Sequence, residues 1–131
     1  MCIFCQIIAG DISSYKIYED EKVLAMLDIS PVFPGHMLVL PKKHVLNIEE
    51  VSEEDLSALI IVVKKMGLLL KDKLGYGGYN VTENNDSVSG QTVPHLHFHV
   101  IPRQSGDNLN LWPSAPYNSG EAEEISARLK S

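Results

Sequence analysis

Apolar residues recur along this chain in two rhythms, one long and one short. Leu56, Leu59, Ile60, Val63, Met66 and Leu70 follow at the three- and four-residue spacing of one helix face. Ser52-Glu53-Glu54-Asp55 precedes them and resembles a capping box, with Asp55 in place of the usual Glu or Gln. Gly75 stops the helix after Leu74, because glycine accepts the left-handed conformation of a helix end. At about 1.5 Å per residue this element is roughly 30 Å long, enough to cover a small sheet. The short rhythm predicts strands at residues 16–19 and 22–27, a buried strand at 37–40 ended by Pro41, and strands at 79–82 and 96–101. Pro94 and Pro102 bound the last of these. Residues 2–9 read as a short apolar turn or helix, and 121–129 as a short terminal helix. The stretches 30–36 and 84–90 are turn-rich, and 103–119 is irregular. Short strands split around one long helix predict an α+β fold with an antiparallel sheet.

Length and composition narrow the classes. The 131 residues make one ordinary domain, residues 1–131, with 103–131 as its tail. A formal charge of −6 gives a surface that does not attract polyanions, so a nucleic-acid duplex is not an expected partner. The N-terminus has no basic start and does not read as a signal peptide. The longest apolar candidate, residues 56–70, is broken by Lys64, Lys65 and Gly67, so no membrane span is expected. The expected compartment is the cytosol. The 2 cysteines, Cys2 and Cys5, form a C-x-x-C pair, which in a chain without an export signal reads as metal ligands or a redox pair.

Chemistry concentrates at His95-Leu96-His97-Phe98-His99-Val100-Ile101. On a strand, His95, His97 and His99 would share one face at intervals of roughly 7 Å, and Leu96, Phe98 and Val100 the other. A metal stripe is the weaker reading, because neighbours so spaced share an ion only if the strand bends. A neutral imidazole is a good nucleophile near pH 7. Its attack on phosphorus divides one hard displacement into two easier ones. Residues 87–92, ahead of the strand, offer donors for phosphate oxygens: Gly90 for close backbone approach, Gln91 and Thr92 for their side chains.

Residues 90–103, from Gly90-Gln91-Thr92 through the three histidines to Arg103, resemble the signature of the histidine-triad (HIT) family, His-φ-His-φ-His-φ-φ. Asp28-Ile29-Ser30-Pro31, followed by residues 34–44, matches its other diagnostic block. The resemblance implies a five-stranded antiparallel sheet, doubled to ten strands in a dimer. It also implies a purine-nucleotide pocket cleaving at the α-phosphate. His97 would be the nucleophile, His99 would bind or polarise the phosphate, and His36 would orient the triad. Gln91 and Thr92 would contact phosphate or leaving group. Asp28 would hold the ribose hydroxyls, with Asn84 lining the same pocket. Ile3, Phe4, Ile7 and Ile29 would form the slot for the base.

The resemblance also suggests that His44 and His95 join Cys2 and Cys5 around a structural zinc ion. No catalytic metal is expected, because the site has few carboxylates. The long helix is apolar on more than one face, through Leu59, Ile60, Ile61, Val62, Val63, Leu68, Leu69 and Leu70, which predicts a partner. The resemblance makes that partner a second copy. The expected activity is hydrolysis of a nucleoside phosphoramidate or an adenylated amine. The alternatives are a dinucleoside polyphosphate hydrolase and a nucleotide-binding adaptor with negligible turnover.

Overall fold

A computed structural model describes residues 2–131. Helix α1 (Ile3–Ile8) is followed by β1 (Lys16–Glu19), β2 (Val23–Leu27), β3 (Met37–Pro41) and the long α2 (Glu53–Leu74). Then come β4 (Gly78–Glu83), a 3₁₀ turn (Ser87–Ser89), β5 (Phe98–Arg103) and α3 (Glu121–Lys130). The five strands form one antiparallel sheet in the order β1-β2-β3-β5-β4. No helix among the described residues is long and apolar enough to cross a membrane.

Both ends of α2 follow from its sequence. Ser52 Oγ accepts from the Asp55 N–H at 3.1 Å, and Glu53, Glu54 and Asp55 place negative charge on the positive end of the helix dipole. Gly75 closes the other end at φ 73°, its N–H bonded to the Lys71 carbonyl and the Tyr76 N–H to that of Leu70. One face of α2 packs on the sheet: Leu59, Val62, Val63, Met66 and Leu70 meet Val23, Ala25, Val39, Leu96, Phe98 and Val100. Burying each such side chain stabilises the fold by about 1.5–3 kcal/mol. Gly67 lets α2 approach β4, since a Cβ there would overlap the Tyr79 ring.

The other face of the sheet explains the unbroken apolar runs of β2 and β3. Leu24, Met26, Leu38 and Leu40 point away from α2 and pack with Phe4 and Ile7 of α1. These strands are therefore covered on both sides. Among the described residues, no such helix covers the same face at β4 and β5, where Asn80 and Thr82 stand opposite Ile101 and His99.

Four strands differ from the expectations at their ends: β3 takes in Pro41, which pairs with Val23, β4 gains Gly78 and Glu83, and β2 and β5 begin later than expected. β2 starts at Val23, because the Asp20 carboxylate captures the N–H groups of Lys22 and Val23 in a tight turn. β5 starts at Phe98 and runs through Pro102 to Arg103. Pro102 does not end it, since β3 pairs with β5 only as far as Val100 and the missing N–H costs no ladder bond there. His95 and His97 thus precede the regular strand, with the Leu96 N–H bonded to the Val45 carbonyl. The expected division of faces holds: Leu96, Phe98 and Val100 turn to α2, while His95 and His97 turn to Phe4 on the α1 side and His97 stands beside His99. His95 is wholly buried.

Candidate functional site

Two histidine clusters meet where β3 runs beside β5. The first joins His95 and exposed His44 to the thiols of α1. His95 Nδ1 lies 3.6 Å from Cys2 Sγ, 3.7 Å from Cys5 Sγ and 3.2 Å from His44 Nδ1. His44 Nδ1 is 3.3 Å from Cys5 Sγ. The four ligand atoms all lie within 4.8 Å of one another. A tetrahedral zinc ion with ordinary bond lengths would set S···N edges of about 3.5 Å and an N···N edge of about 3.3 Å. The spacing fits. The ring chemistry fits as well: His95 Nε2 is 2.8 Å from the Pro41 carbonyl, which only accepts, so Nε2 carries the proton and Nδ1 keeps a lone pair for a metal.

The second cluster contains Asp28, His36, His97 and His99. Burial holds the imidazoles of His36, His97 and His99 below their ordinary pKa, and His99 is pushed down to about 4 by desolvation and then by His97 and His36. All three are neutral at pH 7, so each ring has one N–H, and its position is set by backbone partners. His97 Nδ1 lies 2.8 Å from the His95 carbonyl and must donate, which leaves Nε2 bare. The Val32 N–H donates to His36 Nδ1 at 3.1 Å, so the His36 proton sits on Nε2. That Nε2–H donates to His99 Nδ1 at 2.9 Å, which places the His99 proton on its own Nε2. A bare nucleophilic nitrogen therefore stands next to a ring that presents a donor, with centroids 5.0 Å apart. The same assignment argues against an ion shared by Asp28, His36 and His99. His36 has no lone pair left on Nε2 while Val32 holds Nδ1.

The remaining expected site residues divide. Asp28 is half-buried; Oδ1 caps the following turn through the Ser30 N–H at 2.8 Å, and Oδ2 stands 3.6 Å from His36 Nε2. Gln91 is buried and spends its amide on the chain: Nε2 donates to the carbonyls of Leu46 and Val93, and Oε1 accepts from the Asp86 N–H. In this geometry it holds the loop in shape rather than presenting a free donor. Thr92 is exposed. Gly90 takes φ 105° and lies against the Asn84 amide. Phe4 and Ile7 are buried, whereas Ile3 and Ile29 are exposed. Phe4 stands edge-on to His97 with centroids 5.1 Å apart.

The tail was not legible as part of the site. Leu109, Leu111, Trp112 and Pro113 join Asn84, His36 and His99 around a groove of about 600 Å³ on the face of β4 and β5 away from α2. Arg103 anchors the tail, bonding both Asp107 oxygens and the Leu109 carbonyl. The apolar cluster Leu109, Leu111, Trp112 and Pro113 is the sequence signal that could have drawn attention there.

The chain is similar to known proteins over almost its whole length. The HIT domain family matches residues 9–106. The adenosine 5'-monophosphoramidase of Schizosaccharomyces pombe is 40% identical over 135 residues, covering 98% of each chain. A crystal structure of a HIT family member from Bacillus subtilis superimposes with a TM-score of 0.89 at 41% identity, over 98% of this chain and 94% of that one. The zinc-bound histidine triad family protein of Mycobacterium smegmatis gives a TM-score of 0.80 at 34% identity, over 98% and 93%.

Proposed function

The chain belongs to the HIT domain family, and from that premise we propose that it hydrolyses a purine nucleoside 5'-phosphoramidate or an adenylated amine at the α-phosphate. The observation that carries this reading is the bare Nε2 of His97 beside the Nε2–H of His99. His97 Nε2 attacks the α-phosphorus and the P–N bond breaks, with the amine leaving as it gains a proton. Water then attacks the same phosphorus, frees the imidazole and gives the nucleoside monophosphate. His99 donates to a nonbridging oxygen, and His36 keeps His99 in the donating tautomer. Asp28 holds the ribose hydroxyls. Ile3, Phe4, Ile7 and Ile29 surround the base, while Asn84, Gly90, Gln91 and Thr92 shape the phosphate and leaving-group side.

The groove favours this substrate over a dinucleoside polyphosphate. Among the described residues, its lining has one cationic side chain, Arg103, and that guanidinium is occupied by Asp107, Asn80 and the Leu109 carbonyl. Extra phosphates would enter unneutralised. Turnover of a fluorogenic adenosine phosphoramidate should exceed that of a diadenosine polyphosphate. The reverse order would reassign the substrate, and no turnover of either would leave a binding module.

The same reading includes zinc, which Cys2, Cys5, His44 and His95 would hold in a closed site as a cross-link without touching substrate. It also includes a homodimer. Ile60, Ile61 and Leu68 lie exposed on α2, and Val81 lies exposed on the edge strand β4, an apolar surface that a second copy would cover. A sedimentation mass of one chain at micromolar concentration would refute the dimer.

A further inference from the structure

His97 is held from two sides, and both holders belong to segments that carry the thiol and imidazole cluster. The first is the His95 carbonyl, 2.8 Å from His97 Nδ1. His95 is wholly buried and turns its ring Nδ1 to Cys2, Cys5 and His44. The second is Phe4, which stands edge-on to both imidazoles, 5.1 Å from His97 and 5.8 Å from His95 between centroids. Phe4 lies between Cys2 and Cys5 on α1. A helix of 6 residues does not hold itself together, so its place depends on what its side chains grip. Phe4 and Ile7 grip the sheet, and the two cysteines face the cluster.

We infer that the four-ligand cluster, when it holds zinc, positions the nucleophile. By fixing His95 and α1 it keeps the His97 proton on Nδ1 and the ring aimed. His95 and Phe4 are the positioning residues through which it acts. The inference rests on the proposed zinc site and on His97 as nucleophile. Zinc with two thiolates and two neutral imidazoles adds no net charge, so the coupling is geometric rather than electrostatic. The tautomer at stake matters directly, because a proton on Nε2 would occupy the attacking lone pair.

The test compares the full-length zinc-loaded protein with the same protein stripped by chelator, and with stripped protein reloaded with Zn²⁺ or Co²⁺. Nitrogen NMR of the imidazoles reads the His97 tautomer. Single-turnover kinetics at saturating adenosine phosphoramidate read the chemical step apart from affinity. Loaded protein should show the Nδ1–H form alone. Stripping should mix the tautomers and slow the saturated step about tenfold, an effect usual for groups that orient a reacting residue. Reloading should restore both. A Phe4→Leu variant keeps all four ligands, so it should retain zinc and still show the slowed step. If stripped protein stays folded by near-ultraviolet circular dichroism, an unchanged tautomer and an unchanged rate overturn the inference. If stripping unfolds the chain, a wild-type saturated rate in Phe4→Leu overturns it. Loaded protein that turns over no phosphoramidate refutes the proposed function, while the tautomer spectra still decide this inference.

Discussion

The two histidine clusters use the same side chain for opposite ends, and the difference is which ring nitrogen the backbone claims. In the cluster near α1, the Pro41 carbonyl takes the Nε2–H of His95 and leaves Nδ1 to face two thiols. Two residues later, the His95 carbonyl takes the Nδ1–H of His97 and leaves Nε2 without a proton. One arrangement presents lone pairs to a metal. The other presents a nucleophile beside a donor. Neutral imidazole has one proton for two nitrogens, so a single carbonyl decides which task a histidine can do.

The largest expected effect removes the nucleophile. His97→Ala should lower turnover by at least about a thousandfold, the scale of losing a covalent catalyst. AMP affinity, read by calorimetry, should change little, because the base and ribose contacts remain. Turnover near wild type would erase the functional side of the comparison. His36→Ala comes next. His99 would lose the donor that fixes its proton on Nε2, and kcat should fall roughly ten- to a hundredfold, as for other orienting partners. A fall confined to KM would instead make His36 a binding residue.

On the other cluster, the Cys2→Ser, Cys5→Ser double variant should carry no zinc by elemental analysis. If the metal is normally present at a hundred times its Kd, its loss removes about 2.7 kcal/mol of stability, visible as a lower denaturation midpoint. Full zinc content in that variant would move the site elsewhere.

The smallest effect is acid sensitivity. His99 has its folded pKa lowered from 6.5 to about 4, first by desolvation and then by His97 and His36. Between those values the unfolded chain binds a proton that the folded chain refuses. Stability should therefore decline as pH falls from 6.5 toward about 4, with no contribution from this group above 6.5. Urea midpoints at pH 7 and pH 5 check the sign, and a His99→Asn variant should flatten the slope. A midpoint that holds or rises on acidification would mean that His99 takes its proton in the fold.

Much of the architecture was legible because its signals are local. The Ser52 cap, the Gly75 stop and the apolar face of α2 each involve residues a few positions apart. The burial of Leu96, Phe98 and Val100 against α2 followed from alternation alone. Alternation also put His95 and His97 on the opposite face, but could not say that α1 would bring two thiols to the first of them. Gln91 is a different case. Its residue type suits a phosphate donor, but the carbonyls of Leu46 and Val93 had first claim on its amide. Asp28 spends one oxygen on the following turn and turns the other toward His36.

What the sequence by itself determined was the inventory: five histidines, two thiols, one long capped helix and the short strands around it. It also determined the family likeness, since a motif is a matter of order along the chain. Tertiary structure decided where His95 and His99 carry their protons, while the His97 proton answers to a carbonyl two residues away. Pro41 meets His95 across 54 residues, His44 meets it across 51, and His36 meets His99 across 63. Pairing β3 beside β5 makes all three contacts at once. A histidine's role depends on where its single proton rests, and for His95 and His99 that is set by partners brought near only when the sheet has formed.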